Sequence, residues 1–170
     1  SCRIHSGRTG RAFRPLIAAM SRESPATIMK IAIDAMGGDY APEETVRGAV
    51  DAAVLTPKAT LVLVGQREKI EKLLPSNVPR NIEIQHASEV IEMHEDPRRA
   101  LLGKRDSSLL IALKMVKGGK ADGIISAGNT GAIVGGATVP FVGLGCLEGV
   151  KRPGIAVPMP TEKGFSALID

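Results

Sequence analysis

Short apolar runs alternate with helix-patterned runs from Met29 onward, and this alternation restricts the fold more than any other feature. Met29–Asp34, Ala59–Val64, Asn81–Gln85, Gly123–Ser126 and Ile155–Val157 read as strands. Glu43–Leu55 carries Val46, Ala49, Val50, Ala53 and Val54 at helical spacing, behind Pro42 and with two glutamates in its first turn. Glu68–Leu74 reads as a short helix stopped by Pro75. A further helix starts at a cap on Ser107 or Ser108, runs through Val116 and ends at Gly118-Gly119. Thr130–Val142 reads as the last helix. Successive β-α-β units with near-continuous apolar strands predict a three-layer α/β fold, a mostly parallel sheet with helices on both faces. The final run, Ser166–Asp170, reads as a buried strand that stops mid-fold, so a truncated chain is expected.

The net charge of +4 is uneven along the 170 residues. Arg3, Arg8, Arg11, Arg14 and Arg22, against Glu23 alone, place all of it in residues 1–28, and residues 29–170 are neutral. The folded part therefore offers no electrostatic case for nucleic acid. One Tyr, three Phe and no Trp also leave few rings on which bases could stack. The Arg- and Ser-rich leader has the composition of a transit peptide or of a mis-assigned upstream start. It has no periodic apolar face, and it is expected to be unstructured and to contribute nothing to the fold. Cys2 and Cys146 lie 144 positions apart, which supports no disulfide framework, and a reducing cytoplasm is the default. His86 and His94 lack the neighbours a zinc site needs.

Gly123 to Leu147 is a 25-residue stretch without a charge, long enough to cross a membrane. Its seven glycines, Pro140 and the polar break around Asn129 instead predict a strand, a tight loop and a buried helix. Gly135, Gly136 and Ala137 would let that helix approach another closely, within the subunit or across a dimer.

Two loops at strand ends carry the chemistry. In the first, Asp34-Ala35-Met36-Gly37-Gly38-Asp39, the glycines free the backbone to approach a ligand and the aspartates bracket them. A tight Asx-type turn is the structural alternative. In the second, Ser126-Ala127-Gly128-Asn129-Thr130-Gly131-Ala132, a strand feeds a helix N-terminus whose open amides and dipole favour an anion. There the alternative is an ordinary cap on Asn129 or Thr130. No G-x-x-x-x-G-K-[ST] run is present, and Gly143-Leu144-Gly145 leads to Glu148 where a dinucleotide fingerprint needs glycine.

Met29 through Asp39 resembles the opening of the bacterial phosphate acyltransferase family of phospholipid synthesis. Asp106-Ser107-Ser108, Lys120-Ala121-Asp122, Ser126 through Ala132, Arg152-Pro153 and Ala167 through Asp170 match later motifs in the same order. The resemblance covers residues 29–170 and implies a Rossmann-like architecture similar to the isopropylmalate dehydrogenase and phosphotransacetylase type. It departs locally at Leu102, where family members often carry a basic residue.

The resemblance implies transfer of a fatty acyl group from acyl carrier protein to inorganic phosphate, giving an acyl phosphate in the cytoplasm. Phosphate is itself the nucleophile, so no catalytic Ser or Cys is required. The reaction needs an anion cradle and donors for a thioester oxyanion. Gly37, Gly38, Ser126, Gly128, Thr130 and Gly131 are candidate phosphate or substrate contacts, and Asn129 is the candidate catalytic donor. Asp34 and Asp39 are expected to shape the first loop, while Arg98, Lys104 and Arg105 are candidate contacts for the acidic carrier protein. No metal or organic cofactor is implied. A homodimer with peripheral membrane association follows from the resemblance, and weak turnover is expected from these 170 residues alone. A non-catalytic phosphate-binding or subunit-interaction fragment and a coenzyme A-dependent phosphate acetyltransferase are the alternatives.

Overall fold

The computed structural model describes residues 28–139, 143–145, 148, 154–161 and 164–169. The expectations for the leader, Cys146, Arg152-Pro153 and Asp170 lie outside the described residues. The elements in chain order are β1 (Met29–Asp34), α1 (Glu43–Leu55), β2 (Ala59–Gly65), α2 (Arg67–Leu73), β3 (Ile82–His86), α3 (Pro97–Gly103), α4 (Ser108–Lys117), β4 (Gly123–Ile125), α5 (Thr130–Thr138), β5 (Ala156–Thr161) and β6 (Gly164–Ile169).

Four strands form a parallel sheet in the order β3-β2-β1-β4. Side chains alternate across a strand, so each of the two central strands serves two cores. Ile33, Leu61 and Leu63 face Val46, Ala49 and Ala53 of α1 and Ile70 of α2. Ala32, Val62 and Val64 face the opposite way, toward Ala112 of α4. Helices therefore cover both faces, as the apolar runs predict. A third cluster joins the helices themselves: Ala100 and Leu101 of α3, Leu109, Leu110 and Leu113 of α4, and Ala132 of α5.

The last two strands depart from the parallel expectation. β5 and β6 pair antiparallel with each other, Ala156 opposite Ile169 and Thr161 opposite Gly164, as a separate two-stranded sheet. The predicted buried strand at Ser166–Asp170 is thus one arm of a hairpin with its ladder partner present. Its apolar run is equally compatible with either pairing, which is why periodicity could not distinguish them. α3 was not anticipated as an element. Its signals are an Asp96 side chain capping the Arg99 amide at 2.9 Å and Pro97 at the first helical position.

The uncharged stretch becomes β4, a loop and the nine-residue α5. No described helix is long and apolar enough to cross a membrane. Its glycines serve packing inside the subunit. A Cβ on Gly136 would fall 2.8 Å from Leu113 Cδ1, and one on Gly135 would fall 2.9 Å from Leu101 Cδ1. Ser107 occupies the N-cap position of α4, but its buried hydroxyl has no hydrogen-bond partner among the described residues. The cap expected there is not made, and nothing in the structure explains it.

Candidate functional site

In an open parallel sheet, ligands gather beyond the C-terminal strand ends where successive connections leave in opposite directions. From β1 the chain proceeds outward on one side, through β2 to β3, and then crosses to β4 on the other side. The switch point lies between β1 and β4, and both glycine loops emerge there. They were singled out separately in the sequence, 92 residues apart at Asp34 and Ser126, and the sheet order brings them into contact.

Asp34 joins them. Its carboxylate is 3% exposed and accepts a hydrogen bond from the Ser126 hydroxyl at 2.8 Å and one from the Met36 amide at 3.3 Å. Ser126 Oγ in turn accepts from the Gly128 amide at 3.1 Å. Gly37 closes the contact from the other loop. A Cβ there would lie 2.5 Å from Asp34 Oδ2 and 3.0 Å from the Gly128 nitrogen, so only hydrogen fits. Gly38 takes a φ of 121°, backbone that favours glycine, against Ala127. Asp34 thus ties the two loops together. Asp39 is exposed and makes no such contact among the described residues.

At the start of α5, Asn129 takes the capping role. Its Oδ1 accepts from the Ala132 amide at 3.0 Å, and its Nδ2 donates to the Met93 and Glu95 carbonyls, each at 3.1 Å. Both amide hydrogens are therefore engaged inside the chain, a geometry that leaves Asn129 no donor to offer a substrate and makes it a strap to the 93–95 loop. The Ile133 amide bonds the Asn129 carbonyl. The Thr130 and Gly131 amides, both on exposed residues, have no acceptor among the described residues and form the open end of the helix dipole. Gly131 also has a packing reason to be small, because a Cβ would sit 2.8 Å from Pro97 Cγ.

The 93–95 loop is fastened from its far side too. Lys104 Nζ donates to Glu95 Oε2 and to the Val90 carbonyl, both at 2.6 Å. Lys104 is therefore a strut for this loop. Arg98 and Arg105 are exposed. The Lys104 ammonium and the Glu92 amide hold the Glu95 carboxyl below the usual carboxylate range, and the Ser88 hydroxyl and amide do the same for Asp106. A carboxyl with a lowered folded-state value contributes stability that is fully present above the ordinary carboxylate range. That contribution is lost as the pH falls through the lowered value. Lys104→Met is accordingly expected to lower stability at pH 7 by up to about 1 kcal/mol, the size of a partly exposed ion pair. The difference from the parent should shrink as the pH is lowered through the acid range, read from urea melts at neutral and acid pH.

Beside the open amides lies a cleft of about 490 Å³ between α3 and α5. Thr130 and Gly131 form one part of its wall, Arg98 stands on it, and Leu101, Val134 and Ile155 make it largely apolar. Sequence reasoning missed this cleft and the Glu95 loop because it did not place α3. The Asp96-Pro97 start signal was the available clue.

A family model described as "Fatty acid synthesis protein" matches residues 29–170. Curated proteins named "Phosphate acyltransferase" are similar: one from Dictyoglomus turgidum is 50% identical over 143 residues, covering 83% of this chain and 41% of that protein. One from Desulfitobacterium hafniense strain Y51 is 43% identical over 84% of this chain and 42% of its own length. One from Halalkalibacterium halodurans is 46% identical over 82% and 41%. The chain thus spans about two-fifths of the length of these relatives. With the matched region running from the first strand through both glycine loops to the final hairpin, the chain belongs to the fatty acid synthesis protein family.

Proposed function

We propose that this chain is part of an enzyme that transfers a fatty acyl group from acyl carrier protein to inorganic phosphate. The observation that carries the proposal is the meeting of the two glycine loops at the β1/β4 switch point, beside open helix amides, in a chain whose relatives are named phosphate acyltransferases. A phosphate oxygen attacks the thioester carbonyl. The new C–O bond forms, the C–S bond breaks, and the carrier's thiol leaves as thiolate and takes a proton. The Gly37, Gly38 and Gly128 backbone gives close approach, and the Thr130 and Gly131 amides face the anion or the developing oxyanion. Ser126 holds the Gly128 amide and Asn129 anchors the start of α5, so that both position the site rather than react. No side-chain nucleophile is needed, because phosphate near neutral pH is already one.

The test uses a protein carrying this segment at the full length of its relatives. Hydroxylamine trapping should reveal acyl phosphate made from long-chain acyl carrier protein and phosphate, with coenzyme A esters used poorly. Preferred use of acetyl coenzyme A would favour the phosphate acetyltransferase reading, and no product from either would leave a binding role. Arg98 and Arg105 are proposed to meet the acidic carrier. Reversing both to Glu should raise KM for the carrier by about tenfold and flatten its salt dependence, since such charges act on encounter with an acidic partner. A cytoplasmic homodimer with peripheral membrane contact completes the proposal. Sedimentation of the purified protein, with and without vesicles, tests both parts.

A further inference from the structure

Building on that reading, we propose that the cleft between α3 and α5 seats the fatty acyl chain, with the carbonyl end at Thr130 and Gly131 and the hydrocarbon running along Leu101 and Val134. Three observations support this occupant. The cleft begins at the open amides, so a molecule with an anionic or carbonyl head and an apolar tail matches both parts at once. Its volume of about 490 Å³ falls in the usual range for a small-molecule site, and its wall is largely apolar, with Asp96, Arg98 and Thr130 as its polar side chains. Its walls are also held: Gly131 packs on Pro97 and Gly135 on Leu101, one helical turn apart on both helices, so α3 and α5 meet along a fixed seam. A groove between two helices in such contact keeps its shape when empty, which favours a preformed seat for a flexible chain.

Saturated carboxylates are suitable probes, because they pair an anionic head with a tail of chosen length. Isothermal titration of butanoate and dodecanoate into the full chain should show dodecanoate binding at least tenfold more tightly. Val134→Phe narrows the cleft without touching the glycine seam and should remove most of that preference. Val134→Ala leaves the cleft open and should retain it. Melting curves of both variants confirm that they fold. Dodecanoate binding that Val134→Phe leaves unchanged would overturn the proposal, as would equal binding of the two probes. The latter is also the result if another part of the protein or a second copy fills the cleft. The outcome is separable from the acyl transfer reading. Chain-length-dependent binding without acyl phosphate formation defeats the reaction and leaves the cleft as a fatty-chain site. Acyl phosphate formation whose chain-length preference survives Val134→Phe defeats the cleft alone.

Discussion

If the chain is part of an acyl phosphate-forming enzyme as proposed, Gly37→Val in the full-length protein is expected to lower acyl phosphate formation by about 100-fold or more. The new Cβ would lie 2.5 Å from the buried Asp34 carboxylate and 3.0 Å from the Gly128 nitrogen. Neither group can yield cheaply. Asp34 is held by Ser126 and Met36, and Gly128 is fixed by Ser126. The two loops must therefore separate, and a displacement of about 1 Å at a reacting centre is enough for a loss of about 100-fold. Overpacking should also cost about 1–3 kcal/mol of stability. Gly48→Ala is the matched control, because nothing lies within 4 Å of a Cβ at that helical position. It should melt slightly higher and turn over normally. Kinetics and thermal melting on both variants check the prediction, and normal turnover by Gly37→Val would remove the loop contact from the account.

Asn129→Ala is expected to be the most costly single change around α5. It removes the cap on the Ala132 amide, worth about 0.5–2 kcal/mol, and leaves the Met93 and Glu95 carbonyls without their donor. Asn129→Asp separates the two roles. It retains an acceptor for the cap and loses both strap hydrogen bonds. If Asn129 acts by holding the open amides in place, Asp should recover most of the stability but not the alignment. KM for phosphate should then rise in both variants, with the larger melting loss in Ala. A loss confined to kcat, at about 100–1,000-fold and without a change in melting, is the signature of a direct oxyanion donor instead. Such a result would require the side chain to leave the strap geometry during turnover.

Local chemistry made most of the sheet legible. β1 and α1 have the bounds that apolar spacing and Pro42 imply, β2, β3, β4, α2 and α4 shift by about one residue, and α5 ends at Thr138 rather than at Val142. The loops were legible because several glycines and short polar side chains at a strand end are hard to explain by turn formation alone. Their contact was not legible. It depends on β4 lying beside β1, a strand order that no local pattern records. The role of Asn129 was hidden for the same reason: its partners at Met93 and Glu95 come from a loop with no periodicity. The Lys104 ion pair was not legible because its carboxylate partner, Glu95, lies nine residues earlier, across a helix that was not placed. The hairpin was misread because Ser166 to Ile169 offers a strand signal without a pairing signal.

The most direct test of the switch-point site is to titrate inorganic phosphate into the uniformly ¹⁵N-labelled chain and follow backbone amide shifts. The account predicts saturable shifts that are largest at Thr130 and Gly131, followed by Gly38, and that disappear in Gly37→Val. Shifts that saturate at other amides while those of Thr130 and Gly131 stay still would contradict it.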